Sequence, residues 1–427
     1  MCKILKAKMS LPVTGWVLYD LANTIYAMGI LSLFFPLWVR DQVGAQRADT
    51  EYTLTLSLSM AVIFFLSPFL GIMSDRRPRR MPFLIVGTAL CIAFTLLLGR
   101  LGYIATLICF GIANIGYFSS LQFYDVLLGE VSHEGNRGRI SGIGVGVGYF
   151  GSYIAVAMGL GLGTDDKPLL FTLIAILFLV FSLPCFFFVH ERGNPHPTPI
   201  TRHTMRESMR QLIQTLRDTE HYPGLLRFLI GRIFYTDAIN TVIAVVALYT
   251  VNIAVAAGMT QARAETMAQV VMMVAISFAV IGGFVWGWLV DRWHPQRVLG
   301  WVLVLWMADF LLAATLGFVA LPFGWMYVVG SITGIALGGI WAADRPLMWQ
   351  LSPLERIGEF YGLYNMVGRF TAIIGPAIWG GILHVTVRQV GLSPKQGQAM
   401  AILVLLLMVA LAWFIIRWEK MGTRVKN

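Results

Sequence analysis

Several charged residues in this chain are surrounded by apolar sequence on both sides. Asp20 and Asn23 are three apart, so on a helix they share one face, which Tyr19 and Tyr26 border. Asp237 and Asn240 repeat that spacing in the second half of the chain. A carboxylate beside a carboxamide in such surroundings could hold a proton, a sodium ion or the ammonium group of a solute. The plainer alternative is a structural network that ties helices together without touching a ligand. Asn114, Tyr117 or Phe118, Gln122 and Asp125 form a further stripe, with Asp125 the candidate to face a solute. Asp344 and Arg345 are neighbours, and neighbours on a helix point about 100° apart. Separate partners are therefore expected for them, and Arg345 could face Asp125. Asp309, with Trp306 and apolar residues around it, reads as structural.

These side chains need elements that hold them away from bulk water. Of 427 residues, 57% are hydrophobic and only 13% are charged, and the mean hydropathy is +0.72. Soluble domains carry about 25% charged residues, so lipid is the natural solvent for much of this chain. A helix that crosses a bilayer needs about 20 mostly apolar residues. Such runs are predicted at Val13–Val39, Leu54–Met73, Met81–Leu98, Ile104–Leu128, Ile140–Leu162 and Leu169–Val189. Six more follow at Leu225–Ala256, Met267–Val290, Val298–Ala320, Trp325–Leu347, Phe360–His384 and Met400–Trp418. The expected fold is an all-α membrane protein of twelve transmembrane helices. The first run is too long for a secretory leader and lacks a small-residue cleavage site, so it is kept as a helix.

Lysine and arginine fall unevenly on the two sides of these spans. One side takes 21 of them, the other 7, and Arg227, Arg232, Arg345 and Arg369 lie in or beside spans. The positive-inside rule makes the first side cytoplasmic, together with both termini, as an even number of spans also requires. The formal charge of +10 therefore reports topology. Its residues come in short clusters and not along one soluble face, so no nucleic-acid partner is expected. The longest loop, residues 191–224, places Met205, Met209, Leu212, Ile213 and Leu216 at helical spacing among charges. A surface helix along the inner leaflet is expected there. Cys2, Cys91, Cys109 and Cys185 form no CxxC pair and no metal-ligand pattern, so neither a metal nor a cofactor is expected.

The two halves repeat at a nearly constant offset. Asp20-Leu-Ala-Asn23 returns as Asp237-Ala-Ile-Asn240 after 217 residues. Gly71-x-x-x-Asp75-Arg76 returns as Gly287-x-x-x-Asp291-Arg292 after 216. Ser132, Gly138, Gly142 and Gly148 return as Ser352, Gly358, Gly362 and Gly368 after 220. The domain reading is a six-helix bundle over 1–190, a linker over 191–224 and a second bundle over 225–427. Duplicated halves put a solute site near the bilayer midplane, between bundles that rock against each other. Gly144 and Gly148, four apart in the fifth span, suit close helix approach.

The segment from Gly71 to Arg80 resembles the loop between helices two and three of the major facilitator superfamily. In that family the Asp and Arg act as a cytoplasmic latch, which here implies gating roles for Asp75 and Arg76. The repeat extends the role to Asp291 and Arg292, and Glu130 could join the Asp75 latch. A narrower resemblance rests on Gly15-Trp16-Val-Leu-Tyr19-Asp20-Leu-Ala-Asn23-Thr24, Phe123-Tyr124-Asp125, the glycines from Gly142 to Gly151, and Phe360-Tyr361-Gly362-Leu-Tyr364 leading to Gly375-Pro376. These are similar to the branch that holds the fungal vacuole effluxer linked to autophagy and its bacterial relatives, the unknown major facilitator family. Asp344-Arg345 departs from the pattern, where a small residue is expected in place of the Asp.

The resemblance implies export of small solutes, amino acids being the class assigned to the fungal members. Together with the residues it predicts a secondary transporter for a small polar solute, driven by protons through Asp20, Asp237 or Asp125. The expected solute contacts are Asp20, Asn23, Tyr26, Gln122, Asp125, Asp237, Asn240, Asp344 and Arg345. A monomer in a bacterial inner membrane is expected to suffice, since one chain holds both halves. The alternative is a proton-driven efflux pump for amphipathic drugs, against which the paired Asp/Asn faces argue. A receptor or scaffold would need a signalling domain that the short loops do not offer. No Walker, HExxH or Gly-x-Ser-x-Gly motif occurs, so direct ATP coupling and enzymatic activity are not expected.

Overall fold

The computed structural model describes residues 10–163, 166–192, 224–319 and 321–417, with isolated positions 207, 210 and 214 between them. The surface helix expected around Met205–Leu216 lies outside the described residues. Twelve long helices cover most of the rest. The first six are α1 (Leu11–Val43), α2 (Ala45–Asp75), α3 (Met81–Leu96), α4 (Tyr103–Val131), α5 (Arg137–Leu162) and α6 (Lys167–Phe188). The second six are α7 (Leu225–Ala256), α8 (Gln261–Trp293), α9 (Pro295–Phe318), α10 (Trp325–Leu351), α11 (Ile357–Leu383) and α12 (Pro394–Arg417). Several overrun the apolar windows. α2, for instance, starts at Ala45, not near Leu54, because hydropathy reports only the lipid-facing length. Its polar first turns are satisfied locally, Glu51 accepting from Arg47 and, at 2.8 Å, from Tyr103 Oη.

Local chemistry sets the helix ends. Prolines in the first turns of α1, α3, α6 and α9 occupy positions where a missing N–H costs no helical bond. Gly163 closes α5 with φ 76°, a left-handed conformation in which a side chain would strain the backbone. Inside α1, residues Ala27–Phe34 widen into π-helical turns just before Pro36, whose ring cannot donate to the preceding turn. That distortion begins four residues after Asn23.

Burial separates the helices into two six-helix bundles. One apolar core draws on residues between Val13 and Val189; the other draws on Leu225 to Ile416, joined by Val126. Cys91, Cys109 and Cys185 are buried without disulfides. The bundles meet along α2 against α11 and α5 against α8, and the repeated glycines make that meeting possible. A Cβ on Gly142 would come within 2.6 Å of Gly287 Cα, and one on Gly362 within 2.8 Å of Ser67 O. The α5 glycines divide between two faces. Gly138, Gly142 and Gly146 meet α8 across the seam, whereas Gly144, Gly148 and Gly151 meet α1 within the first bundle. The Gly144/Gly148 spacing thus serves packing inside one bundle, and the face offset from it forms the seam.

Candidate functional site

About two turns in from the arginine-rich face, Arg345 of α10 reaches across the seam to the first bundle. Its Nη1 and Nη2 donate to Asp20 Oδ2 and Oδ1 of α1 at 3.0 and 3.3 Å. Its Nε lies 3.0 Å from Asp125 Oδ1 of α4. One guanidinium from one bundle therefore bridges two carboxylates of the other, all three buried. The surrounding apolar motif residues hold this geometry. Trp16 Nε1 donates to Tyr124 O at 3.1 Å and the two rings stack at 4.7 Å. The Arg345 guanidinium lies 5.4 Å from the Tyr124 ring and 5.8 Å from the Trp16 ring, positions that favour a cation. Tyr361 Oη donates to Arg345 O at 3.2 Å. Gly144 leaves room for this arrangement, since a Cβ there would sit 2.6 Å from the Trp16 ring and 3.2 Å from Asp20 Oδ2.

Asp344 points the other way, into the second bundle. It accepts from Arg232 Nε at 3.1 Å, Tyr235 Oη at 2.5 Å and Tyr364 Oη at 2.8 Å. Asp344 and Arg345 thus have separate partners, as their angular offset requires. Arg232 also stacks 3.7 Å over the Tyr364 ring, beside Gly368, where a Cβ would come within 2.9 Å of its Nη1.

The remaining sequence candidates are distributed more widely. Asn23 is buried, and among the described residues neither Oδ1 nor Nδ2 has a hydrogen-bond partner. Tyr26 donates to Asn114 Oδ1 at 3.3 Å and packs at a tilt against Tyr117, 4.6 Å between ring centres, within the first bundle. Gln122 Nε2 donates to Ser67 O at 3.0 Å and ties α4 to α2, while its Oε1 has no hydrogen-bond partner among the described residues. Asp237 does not approach Asp20 across the pseudo-twofold. Its Oδ1 accepts from Gly375 N at 2.8 Å, linking α7 to α11 inside the second bundle. That bond exists because Gly375 admits the carboxylate where a Cβ would lie 2.6 Å from it. Asn240 is half-buried one turn farther along α7. Asp309 accepts from Thr333 Oγ1 at 2.6 Å and joins α9 to α10, away from the seam.

Sequence reasoning left Arg232, Tyr235, Tyr364 and Arg369 out of the site. Arg369 of α11 crosses the seam to lie 3.8 Å over the Phe118 ring of α4. Its Nε has no hydrogen-bond partner among the described residues, and Tyr117, Arg232, Asp125 and Tyr364 are the ionisable groups around it. The available signal was that two arginines fell inside apolar runs and belonged to neither side of the charge count.

Two matching contacts close the face that carries the arginine clusters. At the end of α2, Asp75 accepts from Gly358 N and Glu359 N, both at 2.8 Å, capping the start of α11. At the end of α8, Asp291 accepts from Gly138 N at 2.7 Å and Arg139 N at 3.0 Å, capping α5. Each carboxylate meets the unpaired amides and positive dipole end of a helix in the opposite bundle. Asp75 also pairs with Arg80, at 2.8 Å. Arg292 lies over the Trp288 and Trp293 rings at 5.8 and 5.7 Å. Glu130 turns to Arg192, its Oε2 accepting from that backbone amide at 3.3 Å, so it does not join the Asp75 contact. Glu191 caps α3 instead, accepting from Arg80 N at 2.7 Å and from Met81 N.

Two six-helix bundles, joined across their seam by the Arg345 ion pairs and at one face by helix caps, form the fold of major facilitator carriers. Solved structures of that class overlay the chain. A bacterial homologue of the iron transporter ferroportin in its outward-facing state gives TM-score 0.70 at 17% identity, covering 95% of this chain and 97% of that one. The transporter FucP in the outward conformation gives 0.67 at 13% identity, covering 98% and 99%. At the sequence level, residues 129–424 match the family described as vacuole effluxer Atg22 like, and this chain belongs to that family. It is 26% identical to the uncharacterized MFS-type transporter YxiO of Bacillus subtilis over 93% of this chain and 94% of that protein. It is 27% identical to autophagy-related protein 22-1 of Aspergillus fumigatus, over 57% of this chain and 43% of the fungal protein. The chain is a multi-pass transporter of small molecules and not an enzyme.

Proposed function

We propose that this transporter exports a small polar solute, with amino acids the favoured class, in exchange for protons. The observation that carries the reading is the Arg345 guanidinium bridging Asp20 and Asp125 between bundles. A buried charge is costly unless paired, so neutralising one partner weakens the bridge between the bundles. A proton can do this, and so can a solute ammonium group. Taking the arginine-rich face as cytoplasmic, both caps close the cytoplasmic side, as in an outward-facing carrier. A proton arriving from outside on Asp20 or Asp125 loosens the hold of Arg345. The Asp75 and Asp291 caps then separate and the bundles rock open inward. Solute entering from the cytoplasm replaces the proton, Arg345 pairs again, and closure carries the solute out.

The seat we assign to the solute lies just beyond the Arg345 bridge. Asn23 is three residues past Asp20, about 4.5 Å farther along the helix axis, and its carboxamide is unsatisfied among the described residues. A buried unpaired amide costs about 1–3 kcal/mol, which a bound polar solute would offset. Arg369 suits a carboxylate, while Asp20 or Asp125 suits an ammonium group. We further propose that residues 1–190 and 225–427 move as the two rigid units, in a monomer in a bacterial inner membrane. Asp237 and Asn240, away from the bridge, serve in this reading to hold α7 on α11.

Proteoliposomes loaded with a labelled amino-acid mixture test the coupling. Efflux is expected to accelerate when the outside is made acidic relative to the lumen-facing cytoplasmic side. Equal rates with and without the gradient would remove proton coupling from the mechanism.

A further inference from the structure

Away from the seam, a cavity of about 670 Å³ opens on the first bundle between α2, α3 and α4. Leu66 and Leu70 of α2 and Val86 and Leu90 of α3 give it apolar walls, and Phe83 packs at a tilt against Phe123, 5.2 Å between ring centres. Its mouth, at the arginine-rich face, is formed by Arg77 and Arg79, both exposed. An apolar slot crowned by two cations matches an acyl chain with an anionic headgroup. The second bundle is built differently at the equivalent place. At the 216-residue offset, Arg77 corresponds to Trp293 and Ile85 to Trp301. Those two indoles stack edge-on at 5.0 Å, with Arg292 lying over Trp293. At the mouth, a cation in the first half thus stands where the second half has an exposed tryptophan.

We infer that this groove binds an anionic phospholipid of the surrounding leaflet, and that the lipid steadies the cap formed by Asp75. The phosphate sits between Arg77 and Arg79, and one acyl chain runs down between α2 and α3. The link to the cap is short. Arg77 and Arg79 belong to the same loop as Arg80, which holds Asp75 Oδ1 at 2.8 Å while Asp75 caps α11. Ordering that loop favours the closed face. Basic residues near a membrane surface each strengthen anionic-lipid binding several-fold.

The test uses the full-length protein in nanodiscs of phosphatidylcholine with or without phosphatidylglycerol. Native mass spectrometry counts retained lipid, and hydrogen exchange follows the amides of Gly358 and Glu359. Phosphatidylglycerol is expected to be retained over phosphatidylcholine and to slow exchange at both amides. The variant Arg77→Gln/Arg79→Gln is expected to lose about tenfold or more of that preference, together with the slowing. The variant Arg297→Gln/Arg417→Gln, at exposed cations of the second bundle, is expected to keep both and also controls for folding. Retention unaffected by Arg77→Gln/Arg79→Gln, or lost equally in both variants, would mean a diffuse attraction to the basic face and would overturn the assignment. Lipid retention without any change in exchange would overturn the coupling to the cap.

Discussion

Arg345→Gln is expected to reduce transport by about 100-fold or more and to lower thermal stability. The substitution leaves Asp20 and Asp125 facing each other, buried, without their shared cation. Removing one partner of a buried ion pair costs about 3–5 kcal/mol. Part of that cost disappears if the stranded carboxylates take up a proton, so the stability deficit is expected to shrink as the pH falls. The double variant Asp20→Asn/Arg345→Gln is expected to recover much of the stability and none of the coupling, because the charge imbalance is reduced while the switch is lost. Arg345→Lys is expected to fold but to transport poorly, since one ammonium cannot reproduce the fork that meets Asp20 through two nitrogens and Asp125 through a third. Melting curves across pH, paired with vesicle transport, check the set. A variant Arg345→Gln that transports normally would exclude the bridge from the cycle.

The second large effect is expected at the caps. Asp75→Ala removes the acceptor for two backbone amides at the start of α11, and Asp291→Ala does the same for α5. Loss of a helix cap costs about 1–2 kcal/mol, so each single variant should shift the equilibrium toward the open arginine-rich face by about tenfold. The double variant should shift it by about 100-fold, because the sites lie on different helix pairs and should act nearly independently. The readout is hydrogen exchange at Gly138, Arg139, Gly358 and Glu359. Exchange should rise at both pairs in either single variant if the bundles part as rigid bodies. A rise confined to the mutated cap would instead indicate local fraying.

Much of this architecture is legible in the amino-acid sequence. Lipid exposure forces long apolar runs, so the spans can be read from composition. The offsets of Gly71, Asp75 and Gly138 with Gly287, Asp291 and Gly358 also had structural content that can now be stated. These are the residues that close one bundle on the other, each Asp capping the helix whose glycines make room for it. Side-chain direction was less accessible. Asp237 repeats Asp20 in spacing, yet it bonds to Gly375 because the second bundle places a glycine within its reach, while no arginine of the first bundle approaches it among the described residues. Gln122 lies on the same stripe as Asp125 but is close enough to Ser67 O to be drawn toward α2. Arg80 pairs with Asp75 because α2 ends at Asp75 and the following turn brings this later arginine back. Helical periodicity predicts which residues share a face; it does not predict which neighbour that face meets.

Closure of the arginine-rich face is expected to be controlled by the ion pairs that Arg345 makes across the seam. Spin labels at Glu134→Cys and Glu355→Cys, exposed positions on opposite bundles, report the distance across that face by double electron–electron resonance. In nanodiscs the mean distance is expected to be short at neutral pH and to lengthen on acidification. With Asp20→Asn it is expected to be long throughout the same range. A distance that stays short in Asp20→Asn at every pH would contradict the control of closure by Arg345 and its two carboxylates.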